Sequence, residues 1–295
     1  MKTILLTGGS GFIVKNILES NLPTKYNILS PRHKDLDLSD TESVDAYFAN
    51  HRIDYVIHAA VKPGHRNAPD LRDLFLTNTR MFFNLERHSS EYEKMIIIGS
   101  GAIYDGTKYR PKMTEDEWVK YIPQDEHGYC KYVCEKVIQK SSNIYDLRVF
   151  GIFGKYEDYS IRFISNAICK AIMNLPITIR QDRKFDYIYV EDLIPVLDWF
   201  IENSPKYHSY NITPDKSISL HDLAKLVKMV AGKNELPIQI ANEGLGLEYS
   251  GDNRLIKSEY SEYSMRPIKE SVRQLYFWYY DNKDTIDINK LLVDK

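Results

Sequence analysis

Short apolar runs and longer helical stretches alternate from the first residues of the chain. Lys2-Thr3-Ile4-Leu5-Leu6 has the length and composition of a buried parallel strand. Residues 26–30, 54–60 and 144–150 read the same way, and Met95-Ile96-Ile97-Ile98-Gly99, apolar throughout, is predicted to be a central strand. Between these runs the pattern is helical over residues 15–20, ending before Pro23, and over 41–50, 71–89 and 125–136. A further helix is expected over 161–168, and residues 106–124, polar and aromatic, read as a loop over a cleft.

The first strand and first helix are joined by Thr7-Gly8-Gly9-Ser10-Gly11-Phe12-Ile13-Val14. Strand, glycine turn and helix open a dinucleotide-binding unit, in which the turn amides and the helix N-terminus hold a pyrophosphate. The end of the second strand is where the adenosine ribose of such a ligand lies. An acid there would accept from the 2′-hydroxyl and favour NAD. This chain has Ser30-Pro31-Arg32-His33-Lys34 instead. Ser30 can donate to a phosphate and Arg32 offers a planar fork for one, so NADP is the expected cofactor; a solvated basic loop is the plain alternative.

Composition narrows the class. The chain has 295 residues, 43% hydrophobic and 27% charged, with a net charge of −2, which suits one large or two modest globular domains. No long basic run points to nucleic acid or an anionic membrane. Cys130, Cys134 and Cys169 make no disulfide framework and no zinc cluster, so they read as small apolar residues and no metal is expected. No apolar run reaches membrane-spanning length and no signal peptide is visible, so a cytoplasmic enzyme is expected.

The turn's spacing, T-G-x-x-G-x-x-G, resembles the fingerprint of the extended short-chain dehydrogenase/reductase family, whose members handle nucleotide sugars. Val14 stands where that pattern has its third glycine. Further along, Asp35-Leu36-Asp37-Leu38-Ser39-Asp40 and Asp54-Tyr55-Val56-Ile57-His58-Ala59-Ala60 resemble two more family segments. Ser100-Gly101-Ala102-Ile103-Tyr104 resembles S-x-x-x-V-Y, and Leu147-Arg148-Val149-Phe150-Gly151 resembles L-R-x-F-G. Asp186-Tyr187-Ile188-Tyr189-Val190 resembles D-F-x-Y-V, and Gly251-Asp252-Asn253-Arg254-Leu255 resembles the loop that contacts the base or diphosphate. Gly128, Lys131 and Glu135 align with the catalytic helix pattern Y-G-x-S-K-x-x-x-E-K. That alignment puts His127 at the tyrosine position and leaves Tyr132 with Lys136 as a second Y-x-x-x-K pair.

The resemblance implies an α/β, Rossmann-type doubly wound parallel sheet with a smaller α/β C-terminal substrate domain. The dinucleotide-binding part would comprise residues 1–154 and 183–212, and the sugar-binding part 155–182 and 213–295. It implies NADP-dependent reduction or epimerisation of a nucleotide-linked 4-keto-sugar for a surface glycan, with Ser100, His127 and Lys131 as the catalytic set. An NAD-dependent 4-epimerase or 4,6-dehydratase and a catalytically degraded nucleotide-binding protein stay open. The cofactor contacts implied or read are Thr7, Gly8, Ser10, Gly11, Phe12, Ile13, Ser30, Arg32, His58, Ala59, Ala60, Asn78 and Lys131. The substrate contacts are Tyr104, Arg162, Asn166 and Arg254. The partner is a nucleoside-diphosphate sugar, and a homodimer is expected. An imidazole beside Lys131 should have a depressed pKa and stay neutral near pH 7, a usable base but a weak proton donor.

Overall fold

The computed structural model describes residues 1–64 and 72–292. Six parallel strands form the main sheet in the order β10-β5-β4-β3-β1-β2. They are β1 (Thr3–Thr7), β2 (Asn27–Leu29), β3 (Tyr55–His58), β4 (Lys94–Ser100), β5 (Ile144–Val149) and β10 (Ser209–Ile212). Each strand predicted from its apolar run forms, within one or two residues of the expected ends.

Period-two alternation divides the sheet's side chains between two cores. Ile4, Leu6, Ile57 and Ile96 face one side, Leu5, Val56, Met95 and Ile97 the other. The first side is covered by α1 (Phe12–Leu18), α7 (Leu193–Glu202) and α9 (Arg254–Glu259). The second is covered by α3 (Thr41–Asn50), α4 (Leu74–Glu86) and α5 (Glu126–Ile138). Helices on both faces of a parallel sheet make the fold doubly wound, and the direction of winding reverses between β1 and β3. A short helix, α2 (Leu22–Lys25), takes Pro23 into its first turn, where a missing N–H costs nothing. Residue 71, the expected start of the fourth helical stretch, lies outside the described residues.

Val14 is 1% exposed and packs with Ile4, Leu6 and Ile17. The branched side chain at the third glycine position is thus absorbed by the core beneath α1. Cys130 and Cys134 are buried among the side chains of α4 and α5, as small apolar residues.

A second core gathers α6 (Phe163–Ile172), β7 (Ile177–Asp182), β9 (Tyr187–Tyr189), α8 (Leu220–Ala231) and α10 (Ile268–Asp281). Ser219 caps α8 by accepting from the Asp222 amide at 3.0 Å, and Gly232 ends it in the left-handed conformation. Small strands complete this part: β6 (Gly151–Phe153) pairs β9, β8 (Lys184–Phe185) pairs β11 (Ile218–Ser219), and β12 (Ile238–Leu245) pairs β7. β12 is largely exposed, and its apolar positions do not alternate over its length, so no pattern announces it. Residues 106–124 are irregular apart from two 3₁₀ turns, Gly106–Lys108 and Glu115–Val119.

Candidate active site

A cleft of about 500 Å³ opens at the C-terminal ends of β1 and β3, at the switch point of the sheet. Its floor is Thr7, Gly8, Gly9, Ser10 and Gly11, with Ala59, Ala60, Val61 and Lys62 on one wall and Pro31, His33 and Leu36–Ser39 on the other. Gly8 has φ +87°, and a methyl group on it would lie 3.0 Å from the Ala60 amide nitrogen. Only glycine turns the chain there. The Thr7 hydroxyl bonds His58 Nδ1 at 2.8 Å and accepts from the Ala60 amide at 3.2 Å, tying the turn to β3.

This cradle fits a dinucleotide. Turn amides and the N-terminus of α1 meet at the floor, and the residues directly after β2 are Ser30, Pro31 and Arg32 rather than an acid. Asp37 lies in the wall, but one carboxylate oxygen accepts both the Ser39 amide and the Ser39 hydroxyl. The Ser30 hydroxyl is buried without a protein partner. Arg32 is exposed, on the outside of the turn its carbonyl closes with the Asp35 and Leu36 amides. Its neighbour His33 lines the cleft and was not picked out from the sequence; nor were Gly9, Ser39 and Lys62.

Several expected contacts serve the scaffold instead. His58 is 6% exposed and burial, with Lys131 nearby, pushes its pKa down to about 3, so it is a neutral brace for Thr7. Phe12 and Ile13 begin α1 and do not line the cleft. Asn78 spends its amide on the backbone: it accepts from the Lys62 amide at 2.8 Å and donates to the Lys62 and Leu74 carbonyls. It positions the wall after β3 and does not reach into the cleft.

The reacting end is built from farther apart. Ser100 ends β4, and its Oγ accepts from the Ala102 amide at 3.1 Å. The Asp125 side chain caps α5 by accepting from the Gly128 amide at 2.8 Å, which puts His127 in the first turn. Gly128 lies against the Ala102 carbonyl, where a methyl group would sit 2.5 Å from the oxygen, so α5 abuts the turn that follows Ser100.

Glu135 fixes the other end of that helix. Its Oε1 takes Arg148 Nη2 at 2.7 Å, the Ser209 hydroxyl at 2.5 Å and the Gln139 amide at 2.6 Å. Arg148, fully buried, also donates to the Tyr104 hydroxyl at 2.9 Å. The Glu and Arg of two separate sequence motifs are therefore one ion pair that seats α5 on the sheet. Tyr104, expected at the substrate, is 1% exposed and donates to Asn211 Oδ1 at 2.8 Å, so it belongs to this buried network.

Lys131, one turn before Glu135, lines a small cavity with His58, Asn78 and Asp146. Its ammonium has no hydrogen bond or ion pair among the described residues. Burial holds the His127 imidazole at a pKa of about 4, with Lys131 and Arg162 adding like charge. Its Nδ1 is buried without a partner. At pH 7 His127 is neutral, as expected. Tyr132 and Lys136 face elsewhere: the Lys136 ammonium lies over the Trp118 ring at 4.6 Å and over Tyr132 at 4.9 Å.

Of the expected substrate contacts, Arg162 stands best. It is the N-cap residue of α6, exposed, its side chain has no hydrogen bond or ion pair among the described residues, and its charge is felt by His127, Tyr187 and Tyr249. Asn166 is 8% exposed and donates to the Tyr159 carbonyl, bracing the chain before α6. Arg254 has 82% of its side chain exposed and is closed on Asp252 at 2.7 Å, outside the clefts described. In its place the fold brings in Tyr249, whose hydroxyl lies 3.5 Å from Ser100 Oγ. No motif marked that tyrosine.

A sequence model of the NAD dependent epimerase/dehydratase family matches residues 4–213, and the chain belongs to that family, as its motifs imply. GDP-L-colitose synthase of Yersinia pseudotuberculosis is 24% identical over 258 residues, 78% of this chain and 82% of that protein. GDP-L-fucose synthase of Dictyostelium discoideum is 24% identical over 310 residues, 96% of this chain and 97% of the relative. The NADP-bound GDP-mannoheptose C4 reductase of Campylobacter jejuni superposes with a TM-score of 0.79 at 18% identity, covering 94% of this chain and 98% of its own. No helix among the described residues is long and apolar enough to cross a membrane.

Proposed function

We propose that this protein is an NADP-dependent reductase or epimerase of a nucleoside-diphosphate-linked 4-keto-sugar, working on the route to a glycan. One observation carries the reading. The glycine turn after β1, Ala59–Ala60 after β3 and Ser100 at the end of β4 lie at the C-terminal end of a single parallel sheet, and Lys131 on α5 lines a cavity with Ala60 there. NADP, when bound, supplies or accepts the hydride. The turn amides would hold its pyrophosphate, and Ser30 and His33 would meet its ribose end. Ser100 would hydrogen-bond the sugar carbonyl oxygen, Lys131 would hold positive charge near it, and Arg162 would pair with a phosphate. The two curated relatives carry GDP in their names, so a GDP-linked sugar is the first to test.

We place the protein in the cytoplasm as a homodimer. The apolar side chains that α4 and α5 leave exposed, Leu76, Phe83 and Tyr129, support association through that face. Gel filtration with light scattering would read it.

The decisive assay mixes the purified protein with NADPH and GDP-4-keto-6-deoxymannose and follows absorbance at 340 nm. NADPH oxidation with formation of a GDP-deoxyhexose is expected, faster than with NADH. No turnover with any 4-keto nucleotide sugar, alongside intact NADPH binding, would favour the second reading. That reading is a nucleotide-binding protein without redox activity, and the neutral His127 at the tyrosine position speaks for it.

A further inference from the structure

The family's helix position for a proton-donating tyrosine holds His127, whose imidazole is neutral at pH 7 and therefore a poor donor to an alkoxide. The structure offers another phenol. We propose that Tyr249, from the segment between β12 and α9, is the catalytic proton donor of this site and acts with Ser100 on the sugar oxygen. This rests on the reductase reading above.

The placement of Tyr249 is specific. Its backbone is held as a bridge beside Phe185: the Tyr249 amide donates to the Lys184 carbonyl at 2.9 Å, and its carbonyl accepts from the Asp186 amide at 3.0 Å. The ring packs on Tyr109 and Phe150, each with centroids 4.8 Å away. The hydroxyl then points at the end of β4. It lies 3.5 Å from Ser100 Oγ, too long for a strong mutual bond but suited to two donors that share one oxygen between them. The residue after Ser100 is glycine, and a methyl group there would lie 2.8 Å from the Tyr249 hydroxyl and 2.7 Å from the Phe150 ring. Gly101 thus leaves the room that Tyr249 needs.

Burial holds the phenol's pKa above its ordinary value, so it is a weaker acid than a free tyrosine, and the hydrogen bond to Ser100 works against that. The phenol stays protonated well above neutral pH, and Asp125 acts in the same direction as burial. Arg162 and Arg183 act the other way and would steady the phenolate that forms. Tyr109 and Ser100 also lie beside Tyr249. In the reductive direction, the carbonyl carbon gains the hydride that NADPH supplies and the carbonyl π pair moves onto oxygen. That oxygen forms its O–H bond as the Tyr249 O–H bond breaks. The phenolate recovers its proton from solvent.

The test compares the parent, Tyr249→Phe and His127→Phe, using NADPH and GDP-4-keto-6-deoxymannose. Phenylalanine keeps the ring contacts, so melting temperature, NADPH affinity and KM should stay near parental. Turnover should fall roughly 10²–10⁴-fold, the usual loss of a general acid. His127→Phe removes a side chain of the same site but a poorer proton donor, so its loss should be smaller than that of Tyr249→Phe. A second readout needs no turnover: with 3-fluorotyrosine at position 249, adding GDP-mannose should shift the ¹⁹F resonance. An active parent with an equally active Tyr249→Phe overturns the assignment and leaves the function standing. An inactive parent overturns the function. In that case an unmoved ¹⁹F signal overturns Tyr249 too, while a shift upholds its place at the sugar.

Discussion

The cleft at the glycine turn and the reacting end proposed above are made in different ways. The first is mostly backbone: a glycine turn, the chain after β3 and the loop after β2, nearly all within the first 62 residues. The second is side chains from distant segments: Ser100 on β4, Lys131 and His127 on α5, Arg162 at the start of α6 and Tyr249 beyond β12. Backbone cradles tolerate side-chain change, as Val14 shows by sinking into the core. A reacting centre depends on single atoms, so a change such as tyrosine to histidine moves the chemistry or ends it.

Substitutions can break this contrast from either side. The largest effect should come from Lys131→Met, which removes a cation of the reacting end without adding volume. Turnover on a 4-keto nucleotide sugar should fall ~10²–10⁴-fold while NADPH affinity measured by calorimetry changes little. A parallel loss of NADPH binding would mean that Lys131 belongs to the cofactor cleft.

Next comes the phosphate partner. Arg162→Ala should weaken GDP binding by roughly 1.5–3 kcal/mol, the range for a charged hydrogen bond, whereas Arg254→Ala should leave it unchanged. The reverse order in a calorimetric titration would return the nucleotide to the loop around residue 254. Smaller still is Gly8→Ala, which forces a side chain into positive φ for about 1–2 kcal/mol and sets a methyl against the Ala60 amide. NADPH affinity should drop roughly tenfold with GDP affinity intact; equal losses of both would erase the distinction between the clefts.

The smallest effect is a pH slope. Folded His127 stays neutral down to a pKa of about 4, while the unfolded chain takes up that proton near the ordinary 6.5. The unfolded state therefore binds more protons in that window, and stability contributed by the neutral imidazole is lost as pH falls from 6.5 toward 4. His58 acts in the same direction. Buried Asp146, pushed up to about 7 by burial and then by Glu135, acts in the opposite one. His127→Phe should show a shallower decline of melting temperature between pH 7 and pH 5 than the parent. Identical slopes in calorimetry would mean that the imidazole is hydrated and free to ionise.

The sequence by itself determined the sheet and the cradle. Apolar runs of five to seven residues can be buried on both faces only as central strands, and β1, β3, β4 and β5 form where those runs lie. The glycine turn is legible for the same local reason: Gly8 needs a conformation that other residues resist. Lys131 and Glu135 were legible only through the resemblance of their segment to the family's helix pattern. Tertiary structure alone decided which polar residues point into the cleft. Tyr104 and Arg254 carried the right chemistry on family-like segments, yet one is sealed in by Arg148 and Asn211 and the other is turned outward by Asp252. Tyr249 lies 149 residues from Ser100 with no motif around it, and only the pairing of its backbone with β8 brings the two hydroxyls together. A side chain's role there depends on long-range packing, which no local pattern of the chain encodes.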